Sequence, residues 1–519
     1  VKKFILSTLL VFAVTVSSGF GQRGKNLSVK PKPKAATAQI TETQQSSVRG
    51  IEIPFVNKVL PNGLEVIVLP DSSVPLVTVE MAVRNGSFTE PPELNGLSHL
   101  YEHMFFKPNQ AVLLYRCDLA RTYRNYDYFN SMGCAEKVKL RSQIGDINYL
   151  NEIDSIGRVE NATTREEVVN YYITTTSPFL ATALRYMNDS IRYPSFDEQE
   201  LAEEIQVVIG EIDRNESNPF FYLNRTINDK LFFKYPTRKN PLGTRQSVMS
   251  ATVEKMKLIQ SRYYVPNNAA LVVTGDVRPE EVFRLAEQIF GSWQKREKDP
   301  FQEFPLVEHP PLPKSEGVIV EKEVANSSQG ENVFIQIGWH GPSIGKDDAA
   351  TYAADVFSYI LGQPNSRFQR ALVDSRLAVG ADINYYTQRN VGPITIILVT
   401  SPEKAKAALR TLYAEISQFD KPDYFTDEEL ESAKTILEAR DLFEREELTD
   451  YAHILSFWWS STGIEYFRGY HKNLRAVTRQ EINRYVRTYI QGKNHIGVAL
   501  LSAEAKAMAK LTESDLIGK

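Results

Sequence analysis

The stretch Gly96-Leu97-Ser98-His99-Leu100-Tyr101-Glu102-His103-Met104-Phe105-Phe106 sets two histidines and a glutamate in an amphipathic run. If that run is helical, His99 and His103 stand four apart on one face, with Glu102 on nearly the same side. Two imidazoles one turn apart suit a metal ion, and the neighbouring carboxylate suits a proton acceptor beside it. Two ordinary helix histidines would give the same letters. The chain holds only seven histidines, however, and two of them lie here.

Upstream, residues 64–69 follow the turn Pro61-Asn62-Gly63 and residues 76–83 follow Asp71-Ser72-Ser73; both are expected as strands. The second leads through Gly86 and Glu90 to the histidine helix. Downstream, residues 168–174 read as a strand, 178–189 as a helix, and 197–215 as a long helix bearing Glu200, Glu203, Glu204 and Glu211. Glu204 and Glu211 are two turns apart and share a face. Taken alone, such carboxylates are most simply the wet side of an amphipathic helix. Residues 269–274 read as a strand and 279–290 as a helix.

A length of 519 residues exceeds what one hydrophobic core usually serves. Residues 293–317 lose apolar periodicity and read as an interdomain linker. Beyond it the pattern repeats, with strands at 333–338, 392–400 and 495–501 and helices at 349–361, 402–419, 427–445 and 479–489. The expected organisation is a site-bearing domain over 51–292 and a homologous domain over 318–515, related by duplication. Only the first has the histidine pair. Between 107 and 150 lies a polar, tyrosine-rich stretch, expected as packed surface loop. The aromatics Tyr451, Phe457, Trp458 and Trp459 are expected in core or interface packing.

Composition is that of a globular protein, 42% apolar and 24% charged, and a net charge of −4 gives no reason to expect nucleic acid or an anionic membrane as partner. Lys2 and Lys3 precede an apolar run over 4–16 and then small residues, the order of a secretory signal peptide over 1–21. Residues 22–50 read as a flexible leader. An exported chain, periplasmic or otherwise extracytoplasmic, is expected, with no membrane span after cleavage. In such a compartment Cys117 and Cys134 can form a disulfide, and two free thiols are the alternative. The Asn-x-Ser/Thr matches at Asn85 and Asn161 are taken as chance.

These pieces resemble the pitrilysin-like zinc metallopeptidases, the family that includes the mitochondrial processing peptidase. The resemblance covers roughly residues 51–515. It rests on ordered matches at Asn62-Gly63-Leu64, Gly86-Ser87 with Glu90, Gly96, the inverted H-x-x-E-H of His99 to His103, Asn161-Ala162, Glu204 with Glu211, Pro266-Asn267-Asn268, residues 271–276, and Ser366-Arg367-Phe368. It implies an α+β fold of two homologous α/β-sandwich-type domains forming a clam-shell. It also implies one Zn²⁺ per chain on His99, His103 and Glu211, with Glu204 orienting a ligating histidine and Glu102 acting as general base. Asn161 and Ala162 would bind substrate at a sheet edge, which favours unstructured peptides. His103 and Glu211 lie farther apart than the family's spacing, implying an insertion around 107–150.

One departure bears on partners. The family's second domain carries an arginine and, seven residues on, a tyrosine that help hold substrate and stabilise the tetrahedral intermediate. Here Leu372 and Val379 stand at the matching positions, with Arg370 or Arg376 as substitutes only in a shifted register. The resemblance then implies the metal-bearing endopeptidase subunit of a heteromer, whose homologous partner supplies the arginine and tyrosine. An enzyme active as a monomer or homodimer, and a non-catalytic structural or chaperone-like subunit, are the alternatives.

Overall fold

In the computed structural model, which describes residues 53–324 and 331–519, the strands form two mixed sheets. The first contains β1 (Val56–Val59), β2 (Glu65–Pro70), β3 (Leu76–Val83), β4 (Val159–Thr164), β5 (Val169–Thr176) and β6 (Ala269–Gly275), in the order β1-β2-β6-β3-β5-β4. The second contains β7 (Glu316–Glu321), β8 (Val333–His340), β9 (Gly380–Tyr385), β10 (Pro393–Thr400) and β11 (Ile496–Leu501), in the order β7-β11-β8-β10-β9. β2 runs parallel to β6 and β7 to β11, and the other pairings are antiparallel. Leaving β1 aside, the two sheets have the same strand order and the same chain path. The protein is thus two α/β domains packed in clam-shell manner. The central strands β6 and β11 are buried along their whole length, as their continuous apolar runs require.

In the first domain the helices are α1 (Leu97–Phe105), α2 (Gln110–Thr122), α3 (Leu180–Arg192), α4 (Glu198–Glu216), α5 (Pro219–Leu231), α6 (Val253–Tyr263) and α7 (Pro279–Phe290). The second adds α8 (Asp348–Gly362), α9 (Ala405–Ile416), α10 (Asp427–Glu444), α11 (Leu448–Ser461) and α12 (Arg479–Tyr489). Two of these helices cross over. α5 lays Leu223, Ile227 and Leu231 on the second sheet, against Ile496, Val498 and Leu500. α11 lays Tyr451, Ala452, Leu455 and Trp459 on the first, against Ile67, Ala82, Ala270 and Val272. Each domain therefore covers one face of the other's sheet, burying apolar surface that neither could bury alone. At Gly338 on β8 a Cβ would stand 3.1 Å from the Ile227 side chain, so α5 sits close enough that a larger residue there would have to displace the Ile227 side chain slightly.

The stretch 107–150 is helical where packed loop was expected. α2 is followed by short helices at Tyr126–Ser131, Cys134–Lys137 and Arg141–Ile144. Asn109 and Asn125 cap two of them by accepting the Val112 and Tyr128 amides. A disulfide joins Cys117 to Cys134, with the Cα atoms 5.5 Å apart. Within 293–317 a helical turn at Pro300–Glu303 interrupts the expected linker, and β7 begins at Glu316. The expected signal peptide and leader, 1–50, lie outside the described residues. Among the described residues no helix is long and apolar enough to cross a membrane.

Candidate metal centre

The helix that carries the two histidines is held by its N-terminus. Glu90 is buried and accepts the Gly96 amide at 2.8 Å and the Ser98 amide at 2.5 Å, satisfying free donors of the first turn. Gly96 has φ +87°, and a Cβ there would lie 2.6 Å from the Cα of Gly243, so the backbone needs glycine to enter the helix at this spot. Leu97, Leu100, Met104 and Phe105 sink into the first core, and Tyr101 stacks on Tyr264 with centroids 4.1 Å apart. With that side fixed, His99 and His103 face α4. Asp197 caps α4 by accepting the Gln199 and Glu200 amides. Leu201, Val208 and Ile212 anchor its inner stripe, which turns Glu204 and Glu211 toward α1.

The two helices bring three donor atoms together. Glu211 Oε2 lies 3.6 Å from His99 Nε2 and 3.7 Å from His103 Nε2. Ligand atoms held about 2.0–2.1 Å from a tetrahedral ion are roughly 3.4 Å apart, so these spacings fit a metal with little adjustment. His103 Nδ1 is bonded to Glu204 Oε2 at 2.9 Å, which leaves Nε2 as the atom available to a metal. Lys107, one turn beyond His103, holds the other oxygen of Glu204 at 2.5 Å. Burial, with the neighbouring His103, pulls the His99 imidazole down to about 4, so it is neutral and ready to ligate at pH 7. At His103 burial acts in the same direction but is outweighed by Glu211 and Glu204, and its value is raised. The Glu211 carboxylate is held low by His103. The three side chains can hold a metal ion.

Glu102 is 9% exposed, and burial raises it to about 7 against the opposing hydrogen bonds of Thr164. The Thr164 hydroxyl donates to its Oε2 at 2.6 Å. Asn161 and Ala162 lie on β4, the edge strand of the first sheet, paired with Tyr172 and Tyr171 of β5. Leu372 is fully buried in the second core, whereas Val379 is 49% exposed. Arg370 donates to the Asn365 carbonyl, and Arg376 takes a left-handed turn at φ +62°. Glu90, Lys107 and Thr164 support the site without having been singled out as its chemistry. Lys107 falls four residues after His103, a helical spacing that points to it, whereas Thr164 reaches Glu102 across 62 positions with no local signal.

Residues 66–112 and 142–244 match the family model "Insulinase (Peptidase family M16)", and residues 250–437 match "Peptidase M16 inactive domain". The chain belongs to the peptidase M16 family. The M16 match passes over residues 113–141, which include most of the disulfide-linked helical stretch. Among M16 relatives, the zinc protease PqqE of Helicobacter pylori is 23% identical over 437 residues, covering 83% of this chain and 89% of its own. A putative M16-like peptidase from Alicyclobacillus acidocaldarius superposes with a TM-score of 0.70 at 17% identity, over 88% of this chain and 100% of its own. The periplasmic protease PqqL of Escherichia coli superposes with a TM-score of 0.65 at 14% identity, over 89% of this chain but 49% of its own.

Proposed function

We propose that this M16 chain is a zinc-dependent endopeptidase that cleaves unstructured peptides with metal-activated water. The observation that carries this reading is the convergence of His99 Nε2, His103 Nε2 and Glu211 Oε2, with the Glu102 carboxylate beside them. One Zn²⁺ per chain held there would supply a Lewis acid that acidifies water and polarises the scissile carbonyl. Glu102, buried beside the three donor atoms, takes the water's proton as it adds to that carbonyl and passes it to the leaving amine. Glu204 keeps His103 in the ligating tautomer and orientation. The free edge of β4, at Asn161 and Ala162, takes an extended peptide through backbone hydrogen bonds, a mode open to unfolded chains and closed to folded ones.

The second domain offers no donor for the tetrahedral oxyanion at Leu372 or Val379. We therefore assign this chain to the metal-bearing half of a heteromer, with a homologous subunit supplying an arginine and a tyrosine. The match to about half of the longer PqqL chain supports such a division. The signal-like sequence at 1–21 and the likeness to a periplasmic protease support an extracytoplasmic setting. The same two residues favour a second reading, a non-catalytic subunit. Zinc content and hydrolysis of mixed unstructured peptides, for the chain alone and with a homologue lacking the histidine motif, decide between them. Zinc with activity only in the mixture is the expected result. Activity of the chain alone would remove the partner from the scheme, and absence of zinc in both samples would leave the second reading.

A further inference from the structure

β4 and β5 join at a two-residue turn, Glu166-Glu167, across which the Arg165 amide donates to the Val168 carbonyl. Antiparallel partners alternate between bonded and non-bonded pairs. With Thr164 opposite Val169 and Ala162 opposite Tyr171, the amides of Ala162 and Thr164 point away from β5, toward the free edge. The first donor is already engaged within the strand, and the second sits beside Glu102. The Ala162 amide donates to its neighbour Asn161 Oδ1 at 2.9 Å. The Thr164 amide lies beside the Glu102 carboxylate, which receives the Thr164 hydroxyl at 2.6 Å.

We propose that Thr164 is a positioning residue that fixes Glu102 at the end of the peptide-docking edge, so that one strand sets both the register of the bound peptide and the place of the base. The inference rests on the assignment of Glu102 and β4 under the proposed function. The two positions differ in how they can admit a peptide. Asn161 is exposed, and a rotation of its side chain frees the Ala162 amide for an incoming carbonyl. Glu102 is buried, and the threonine holds it through its hydroxyl. A peptide added to β4 can therefore pair at Ala162, but beside Thr164 it meets the buried Glu102 carboxylate. Backbone pairing ends there, and the first peptide unit beyond the paired stretch faces Glu102.

The test is Thr164→Val in the full zinc-loaded chain, assayed alone or with its homologous partner, whichever form is active. Valine keeps the β-branched strand residue and the amide and removes only the hydroxyl. A hydrogen bond to a charged group is strong enough that kcat on an unstructured peptide should fall at least tenfold. KM should stay within about twofold, zinc per chain should not change, and Thr164→Ser should recover most of kcat. Parent kcat in a valine variant of parent zinc content, or a loss confined to KM, overturns the inference and leaves the proposed function standing. A parent chain with no zinc-dependent hydrolysis in any form would overturn both. If the valine variant does not fold, Thr164→Ser and Thr164→Ala decide: equal kcat in the two overturns the inference, and a tenfold deficit in alanine alone supports it.

Discussion

The two domains share a path and differ in what they place on it. In the first, α1 follows β3 and packs against α4 and the edge strand β4; in the second, α8 follows β8 and packs against α10 and the edge strand β9. The α1–α4 seam carries His99, His103, Glu204 and Glu211, partly open to solvent. The corresponding helix α8 is filled instead by buried Ala350, Ala353, Ala354 and Phe357. Its half-buried Asp355 is closed off by a hydrogen bond from Tyr470 at 2.6 Å. One backbone plan thus supports a seam able to hold an ion and a largely apolar seam without the ligand set. The chemistry belongs to a few side chains grafted on the repeat, which is why the sheet order alone says nothing of activity.

The largest expected effect breaks that contrast at its chemical end. Glu102→Gln removes a proton acceptor while keeping the shape of α1, and a loss of about 10²–10⁴-fold in kcat is expected with zinc content unchanged. Parent activity in that variant would refute the base assignment. Next in size, Glu211→Gln should weaken zinc binding by at least about tenfold, read by competition with a chromophoric chelator. Amide exchange in α1 and α4 should then rise on metal removal, whereas exchange in α8 and α10 should not. Equal response in both seams would mean that the second is not the inert counterpart described above.

The crossed helices make the comparison mechanical. Trp459 of α11 is buried on the first sheet and donates through Nε1 to Glu65 at 2.9 Å, and Ile227 of α5 is buried on the second. Trp459→Ala should cost about 3–5 kcal/mol and Ile227→Ala about 2–5 kcal/mol. Because each helix belongs to one domain and covers the other, both variants should lower a single, common unfolding transition in denaturant. Two separate transitions would show that the exchange does not couple the domains.

Much of this was legible in the sequence. The helix of His99 and His103 was readable because its apolar residues recur at helical spacing, and α4 because it is long and opens with Asp197. The pairing of Glu211 with the histidines came through family resemblance, since a charged helix face by itself is ambiguous. The crossing of α5 and α11 was not readable: an amphipathic pattern says that a face is buried, not which sheet buries it. β4, with the polar sequence Val-Glu-Asn-Ala-Thr-Thr, gave little strand signal of its own because an edge strand is half exposed. The helices within 107–150 were missed because asparagine caps and a disulfide, not strong apolar periodicity, define them. Thr164 acts on Glu102 across 62 positions of sequence, and no local pattern announces such a contact.

The smallest effect concerns the charged group buried under α11. Glu80, in the middle of β3 and fully buried, accepts from Asn170 at 2.8 Å and is bonded to His453 Nδ1 of α11 at 2.5 Å. Burial pulls the His453 imidazole down, but the charge and hydrogen bond of Glu80, with Asp450, outweigh it and raise its value against the opposing Arg165. A histidine raised in the folded state stabilises the fold when protonated. That contribution is complete below its unfolded value near 6.5 and is lost as pH rises through the higher folded value. Unfolding free energy should therefore decline over that window in the parent and decline less in His453→Gln, which keeps a hydrogen-bonding side chain but cannot take the proton. The second sheet meets α5 through Leu223, Ile227 and Leu231, and the ion pair there, Lys230 with Glu316, is half-exposed and has no histidine. Exchange of the β3 amides should accordingly respond to pH across the window more than that of β8, and an equal response in the two strands would count against His453 as its source.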